Sequence, residues 1–218
     1  MGWRAFMLNM DFSQRVLVET DKIDWVASPM PGVYRKLLAR EDAERGHATS
    51  IVHYQAGSIF RPHPHPLGEE ILVLDGTFSD EKGDFNAGSY FRNPPGSSHA
   101  PFSVKGCLLL VKLHQFQISD INQVSITTPD IWGSKSTELL PLYEHLDERV
   151  WLVRIQNSEH VLNQLDLGSS VEVFVISGRA EYADMSLKSG DWLRVPNFLL
   201  DDWSVESDCF LWIKSGHF

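Results

Sequence analysis

The sequence predicts an all-β protein made of two tandem copies of one β domain. Three observations carry that expectation. Apolar runs of five to seven residues alternate with turn signals along the whole chain, helical periodicity is weak, and the second half repeats the first at a shift of 102 residues.

The runs come first. TSIVHYQAG, EEILVLDG, GSYFRNPPG and GCLLLVKL in the first half, and RVWLVRI, VEVFVISG, GDWLRVP and CFLWIKS in the second, are rich in Val, Ile, Phe and Tyr and punctuated by Gly, Pro and Asn. This is the composition of short strands between tight turns. The best helical candidate, residues 138–146, is short and broken by Pro141. The repeat is next. Without gaps, ten of sixty-four positions between 53 and 116 are identical 102 residues later, among them Gly76 with Gly178, Arg92 with Arg194, Pro94 with Pro196 and Lys112 with Lys214. The shared glycines and proline fall in turns, where backbone geometry limits the choice. A boundary near residues 119–128 follows, giving domains 1–118 and 119–218. Duplicated halves favour packing about a pseudo-twofold axis, and a homodimer is a further expectation.

Composition narrows the function. With 218 residues, 43% of them apolar, seven Trp and twelve Phe, the chain has ample core. A net charge of −10 removes the electrostatic drive toward nucleic acid or anionic lipid. No run reaches the ~18 apolar residues that span a bilayer, and MGWRAFMLNM makes a poor signal peptide, so a cytoplasmic protein is expected, with Met10 as an alternative start. Two cysteines, Cys107 and Cys209, are too few for a disulfide framework or a thiolate zinc cluster.

The histidines carry the chemistry. Gly57 is followed after five residues by His63-Pro64-His65, after three more by Glu69 and after six more by Gly76; later Gly88 precedes Pro94-Pro95-Gly96-Ser97-Ser98-His99 by five residues. On a strand, side chains two apart share a face, so His63 and His65 point together to one side of it. The Pro-Leu-Gly turn lets Glu69 reach the same point, and Pro94-Pro95-Gly96 brings His99 from another wall. Three imidazoles and a carboxylate suit zinc, iron, manganese, nickel or copper rather than calcium or magnesium. Glu70 competes with Glu69; the spacing to Gly76 favours Glu69, and so does the repeat. Glu70 persists as Glu172, whereas His63, His65, Glu69 and His99 become Leu165, Leu167, Val171 and Asp201. Residues lost together are expected to work together. The second copy therefore holds no metal, and serves as a structural half or, with Trp192 and Trp212 as lining, as an apolar pocket.

Both motifs resemble the two signatures of the cupin superfamily, which implies small jelly-roll barrels with one metal held by His63, His65, Glu69 and His99. HPHPLGEEILVLDGTFSDEKGDFNAGSYFRNPPGSSHAPF, with SPMPGVYRKLL upstream, is similar to the C-terminal cupin domain of ChrR-type anti-sigma factors, and its zinc ligands carry over to the same four residues. Those regulators bind their sigma factor through an N-terminal helical domain with its own His/Cys zinc site. Residues 1–30 contain no His or Cys, so direct sigma-factor binding is not expected. The resemblance implies a metal-binding bicupin of regulatory or stress-sensing type with one divalent metal per chain, zinc favoured over iron, manganese or nickel. A small-molecule ligand in the first barrel is a further expectation. The alternative is a metal that keeps open positions, in a metal-dependent dioxygenase or isomerase acting on a small oxygenated substrate.

Remaining residues receive smaller roles. Arg61 is a candidate anion clamp or an exposed strand-end residue. Phe60, Phe91 and Phe102 are core or pocket lining, and Cys107, repeated as Cys209, is a buried small hydrophobe. Asp201 and Asp202 would face opposite sides of a strand. His47, His53, His114, His145, His160 and His217 lack motif spacing.

Overall fold

The computed structural model describes residues 7–42, 46–128, 132–136, 138–156, 159–205 and 208–218. The chain divides into two compact units, Met1–Met10 with Asp24–Trp132 and Asp11–Ile23 with Gly133–Phe218. This corrects the boundary expected at 118/119, because two connecting segments cross over. Val16–Val18 pairs with Trp192–Val195 in the second unit, and Val124–Thr127 pairs with Ser89–Asn93 in the first. An edge strand has backbone groups to satisfy, and each segment supplies a partner strand to an edge.

In the first unit the main sheet runs Val124–Thr127, Ser89–Asn93, Glu69–Asp80, Cys107–Leu113, Ala48–Tyr54, Val33–Arg40 and Val26–Ala27. The long Glu69–Asp80 strand continues into a second layer, where it pairs with Gly83–Asn86 and Phe102–Ser103, and the latter with Ser58–Ile59. A separate ribbon joins His63–His65 to Ser97–His99. The interior between the layers is apolar, with Val52, Tyr54, Ile71, Val73, Phe78 and Leu109 among its buried members. Cys107 and Phe91 are part of it, and Phe60 packs against it.

The second unit has a six-stranded sheet ordered Val16–Val18, Trp192–Val195, Val171–Ser177, Cys209–Ser215, Glu148–Ile155 and Glu138–His145, and a three-stranded sheet of Met185–Lys188, Arg179–Tyr182 and Trp203–Val205. Of residues 138–146, the best helical candidate, Glu138–His145 is thus strand and Leu146 lies in the turn that follows. Pro141 stands at a register shift in that strand, between Pro141 and Tyr143, where its missing N–H costs the ladder least.

The repeat is visible in the pairing itself. In the first unit Leu109 lies opposite Val73, Glu70 opposite Arg92 and opposite Lys112. In the second, Leu211 lies opposite Val175, Glu172 opposite Arg194 and opposite Lys214. All six of these charged residues are buried. Each long strand has a register shift at the matching place, leaving Leu74 and Ile176 as the extra residues.

Two smaller expectations need correction. Trp192 and Trp212 are fully buried, but the second unit's interior contains their neighbours Leu193, Leu211 and Ile213 instead. Strand alternation turns the two tryptophans to the other face, so they line no pocket inside that barrel. Asp201 and Asp202 lie in the 3₁₀ turn Leu200–Asp202, both exposed, rather than on a strand. Both cysteines are buried, as expected, and neither is in a disulfide. Among the described residues no helix is long and apolar enough to cross a membrane. The alternative start touches residues 1–6, which lie outside the described residues, as does the side chain of His160.

Candidate metal centre

The pleat settles which glutamate faces inward. Glu69 and Glu70 alternate across the sheet, and Glu70 Oε2 accepts a hydrogen bond from Arg92 at 2.9 Å on the outer face. Glu69 turns to the interior. Opposite it stands the ribbon of the two histidine motifs, in which His63 pairs with His99 and His65 with Ser97. His99 therefore comes from the strand hydrogen-bonded to His63–His65, not from another wall. A two-stranded ribbon supplies the three imidazoles, and the main sheet supplies the carboxylate.

One ligand atom from each of His63, His65, Glu69 and His99 lies within 4.8 Å of all the others. His63 is half-buried and the other three are buried. Glu69 Oε2 is 3.2 Å from His65 Nε2 and 3.4 Å from His99 Nε2.

The opposite ring nitrogens are all engaged. His63 Nδ1 lies 3.0 Å from the Arg61 carbonyl and His99 Nδ1 lies 3.2 Å from Asp80 Oδ2. Ser97 Oγ donates to the Pro94 carbonyl, so it accepts from His65 Nδ1 at 3.1 Å. Each partner is an acceptor, which assigns the proton to Nδ1 and the lone pair to Nε2 in all three rings. Asn93 Nδ2 donates to Glu69 Oε2 at 3.1 Å.

Three lone pairs and a carboxylate oxygen thus converge, and His65 Nε2 is buried without a hydrogen-bond partner. Acceptors crowded in this way repel one another unless a cation lies between them. The electrostatics agree. Burial, with the charges of His99 and His63, pushes His65 down to about 3, and burial pushes Glu69 up to about 7 against the Asn93 hydrogen bond. His99 is also lowered, chiefly by burial. The site resists protonated imidazole and penalises a bare carboxylate, so its donor set fits a divalent transition metal.

A 770 Å³ cavity reaches the cluster. Its walls are largely apolar, formed by Met30, Val52, Phe60, Ile71, Leu109 and Val111 among others. Arg61 is exposed and absent from the lining, so it is no anion clamp; its carbonyl positions His63 instead.

Sequence reasoning missed the residues behind the ligands. Asn93 and Ser97 flank the Pro-Pro-Gly turn, so their place in the motif was a usable signal. Asp80 has no diagnostic spacing. His114, with φ of 59°, lines the cavity without any motif to announce it. His53 packs on Trp25 with ring centroids 5.7 Å apart, and His217 Nε2 lies 3.4 Å from Glu172 Oε2, so neither belongs to the cluster.

In the second unit Leu165, Leu167 and Val171 lie in the apolar interior. Asp201 is exposed, so among the described residues none there replaces the four ligand groups.

Comparison with known proteins agrees with this architecture. No curated protein matches the chain. Bacterial pirin YhhW from Escherichia coli, solved with nickel(II), is similar with a TM-score of 0.68 at 14% identity, over 92% of this chain and 98% of that one. Protein YlbA from E. coli is similar with a TM-score of 0.66 at 13% identity, over 99% and 95%. A cupin 2 conserved barrel domain protein from Leptotrichia buccalis gives 0.55 at 9% identity, over 95% and 98%. At these identities the likeness shows the fold alone. A family match is more specific: the ChrR cupin-like domain model matches residues 13–117, so this part of the chain contains a ChrR-like cupin domain.

Proposed function

We propose that this protein is a metal-dependent regulatory cupin, in which His63, His65, Glu69 and His99 hold one divalent transition metal, zinc favoured. The observation that carries the reading is the convergence of three Nε2 lone pairs and Glu69 Oε2, each imidazole held from behind through Nδ1. The match to the ChrR cupin-like family supports a sensory role. Metal binding would tie the histidine ribbon to the main sheet through Glu69, so anything that competes for or oxidises a ligand changes how firmly the two are joined.

Elemental analysis and X-ray absorption on chain purified without chelator test this. One zinc per chain with nitrogen and oxygen donors, lost in His99→Ala, is the expected result. Two metals per chain, or full metal content in His99→Ala, would refute it.

A second reading, an enzyme acting on a small oxygenated substrate, is favoured by the 770 Å³ cavity that reaches the cluster. When bound, an ion with open positions supplies Lewis-acid polarisation of a substrate oxygen. The chain's own contribution is to hold Nε2 lone pairs fixed and to surround the substrate with Val52, Phe60, Ile71 and Leu109, which exclude water. Oxygen uptake by iron-loaded protein with diketones or hydroxy acids would establish this reading over the sensory one.

A further inference from the structure

The strand Val33–Arg40 carries two arginines that ordinary alternation would send to opposite faces, since residues 35 and 40 differ in parity. A register shift between Leu37 and Ala39 makes Leu38 an extra residue and cancels that difference. Arg35 lies opposite Val52 and Arg40 opposite Ala48, and both line the same cavity as the metal ligands.

The sheet register places the two arginines along the cavity. Arg40, Ala48, Leu113 and Glu69 form one row across four strands; Arg35, Val52, Leu109 and Val73 form another four residues further along, roughly 13 Å away. Between the rows the lining is Ile71 and Val111, both apolar.

The second unit provides an internal control. Val153 there matches Val52, since each lies opposite the matching leucine, Leu211 or Leu109, and Val153 faces Leu139. Leu139 thus occupies the position of Arg35, and by the same register Glu144 occupies that of Arg40. Both cations are lost in the copy that lost its four ligand groups.

We propose that the cavity of the first unit binds an organic carboxylate with an apolar body, its charge held by Arg35 with Arg40 and its body lying along Val52, Ile71, Leu109 and Val111 beside the His/Glu cluster. This rests on the cluster being the functional site, and it makes the arginines the residues that select an anion over a neutral molecule of the same shape. A guanidinium pairs with a carboxylate in a planar two-bond fork, and an apolar surround strengthens the pair.

Calorimetric titration of the full chain, zinc-loaded and metal-free, with octanoate and with octanamide tests the proposal. Octanoate should bind at least ~10-fold more tightly than octanamide, as expected for a hydrogen-bonded charge. Arg35→Leu, which installs the residue type of the matching position, should erase that preference while zinc content stays unchanged. Arg35→Lys, which keeps the charge but not the fork, should retain part of it, and serves alone if Arg35→Leu does not fold. Equal binding of the two probes, binding of neither, or full preference in Arg35→Lys and Arg40→Gln would overturn the proposal. A chain that takes up no metal yet prefers octanoate would sink the metal reading and leave this one standing.

Discussion

Asp80 shows how much of the centre depends on residues that touch no metal. Its carboxylate holds His99 Nδ1 at 3.2 Å, orienting the ring and making Nε2 more basic. Asp80→Ala should lower metal affinity by about 10–100-fold while the four ligands remain, measurable by competition with a chromogenic chelator. Glu69 and His65 also give the metal-free protein a signature in pH. Glu69 is raised from 4.5 to about 7, so between those values the folded state holds a proton that the unfolded state has lost, and stability falls as pH rises. His65 is lowered from 6.5 to about 3, so across that window the unfolded state holds the extra proton, and stability rises with pH. The two oppose each other between about pH 4.5 and 6.5. Metal-free Glu69→Gln should therefore gain stability with pH more steeply than wild type there, as read by denaturant melts. Parallel profiles would mean that Glu69 ionises normally.

At the scale of the element, the long bent strand determines where the site sits. Gly76 stands just past its register shift with φ of 73°, and a Cβ there would lie 2.2 Å from the Gly106 carbonyl oxygen. Gly178 repeats the arrangement, with φ of 87° and a Cβ 2.6 Å from the Asp208 carbonyl oxygen. Both clashes are with backbone, which cannot swing aside. Gly76→Ala should cost roughly 1–3 kcal/mol more than Gly57→Ala, whose φ of 79° is similar but whose Cβ would meet nothing within 4 Å. Equal losses in chemical denaturation would show that conformational strain alone matters. The same bend was legible in the sequence as a glycine recurring after 102 residues. The shift in Val33–Arg40 was not, because an extra residue leaves no mark in an apolar run.

For the whole molecule, the crossing of the N-terminal segment matters most. Residues of Asp11–Ile23 complete the second unit: Val16–Val18 extends its sheet, Lys188 Nζ pairs with Asp21 Oδ2 at 2.6 Å, and the Asp11 carbonyl accepts from Arg194 at 2.9 Å. Phe12 also lies under the Arg194 guanidinium, 4.5 Å from centroid to carbon. Arg194 is fully buried, and stripping partners from a buried charge costs about 3–5 kcal/mol. Removal of residues 1–23 should thus lower hydrogen-exchange protection in Trp192–Val195 and Val171–Ser177, while metal content stays at the wild-type value. Loss of protection confined to the first unit would contradict this division of the chain.

Strand content, repeat period and the four candidate ligands were all readable from the sequence, because each is a local pattern: alternation, turn glycines, and fixed spacing between histidines and a glutamate. Tertiary structure alone decided what pairing and register control. It turned Glu69 inward and Glu70 toward Arg92, made His99 a neighbour of His63, brought Asp80 behind His99, and drew residues 11–23 into the second unit. These are contacts between residues far apart in the chain, set by which strand edges meet and where a single extra residue shifts the pleat, and no spacing in the sequence encodes them.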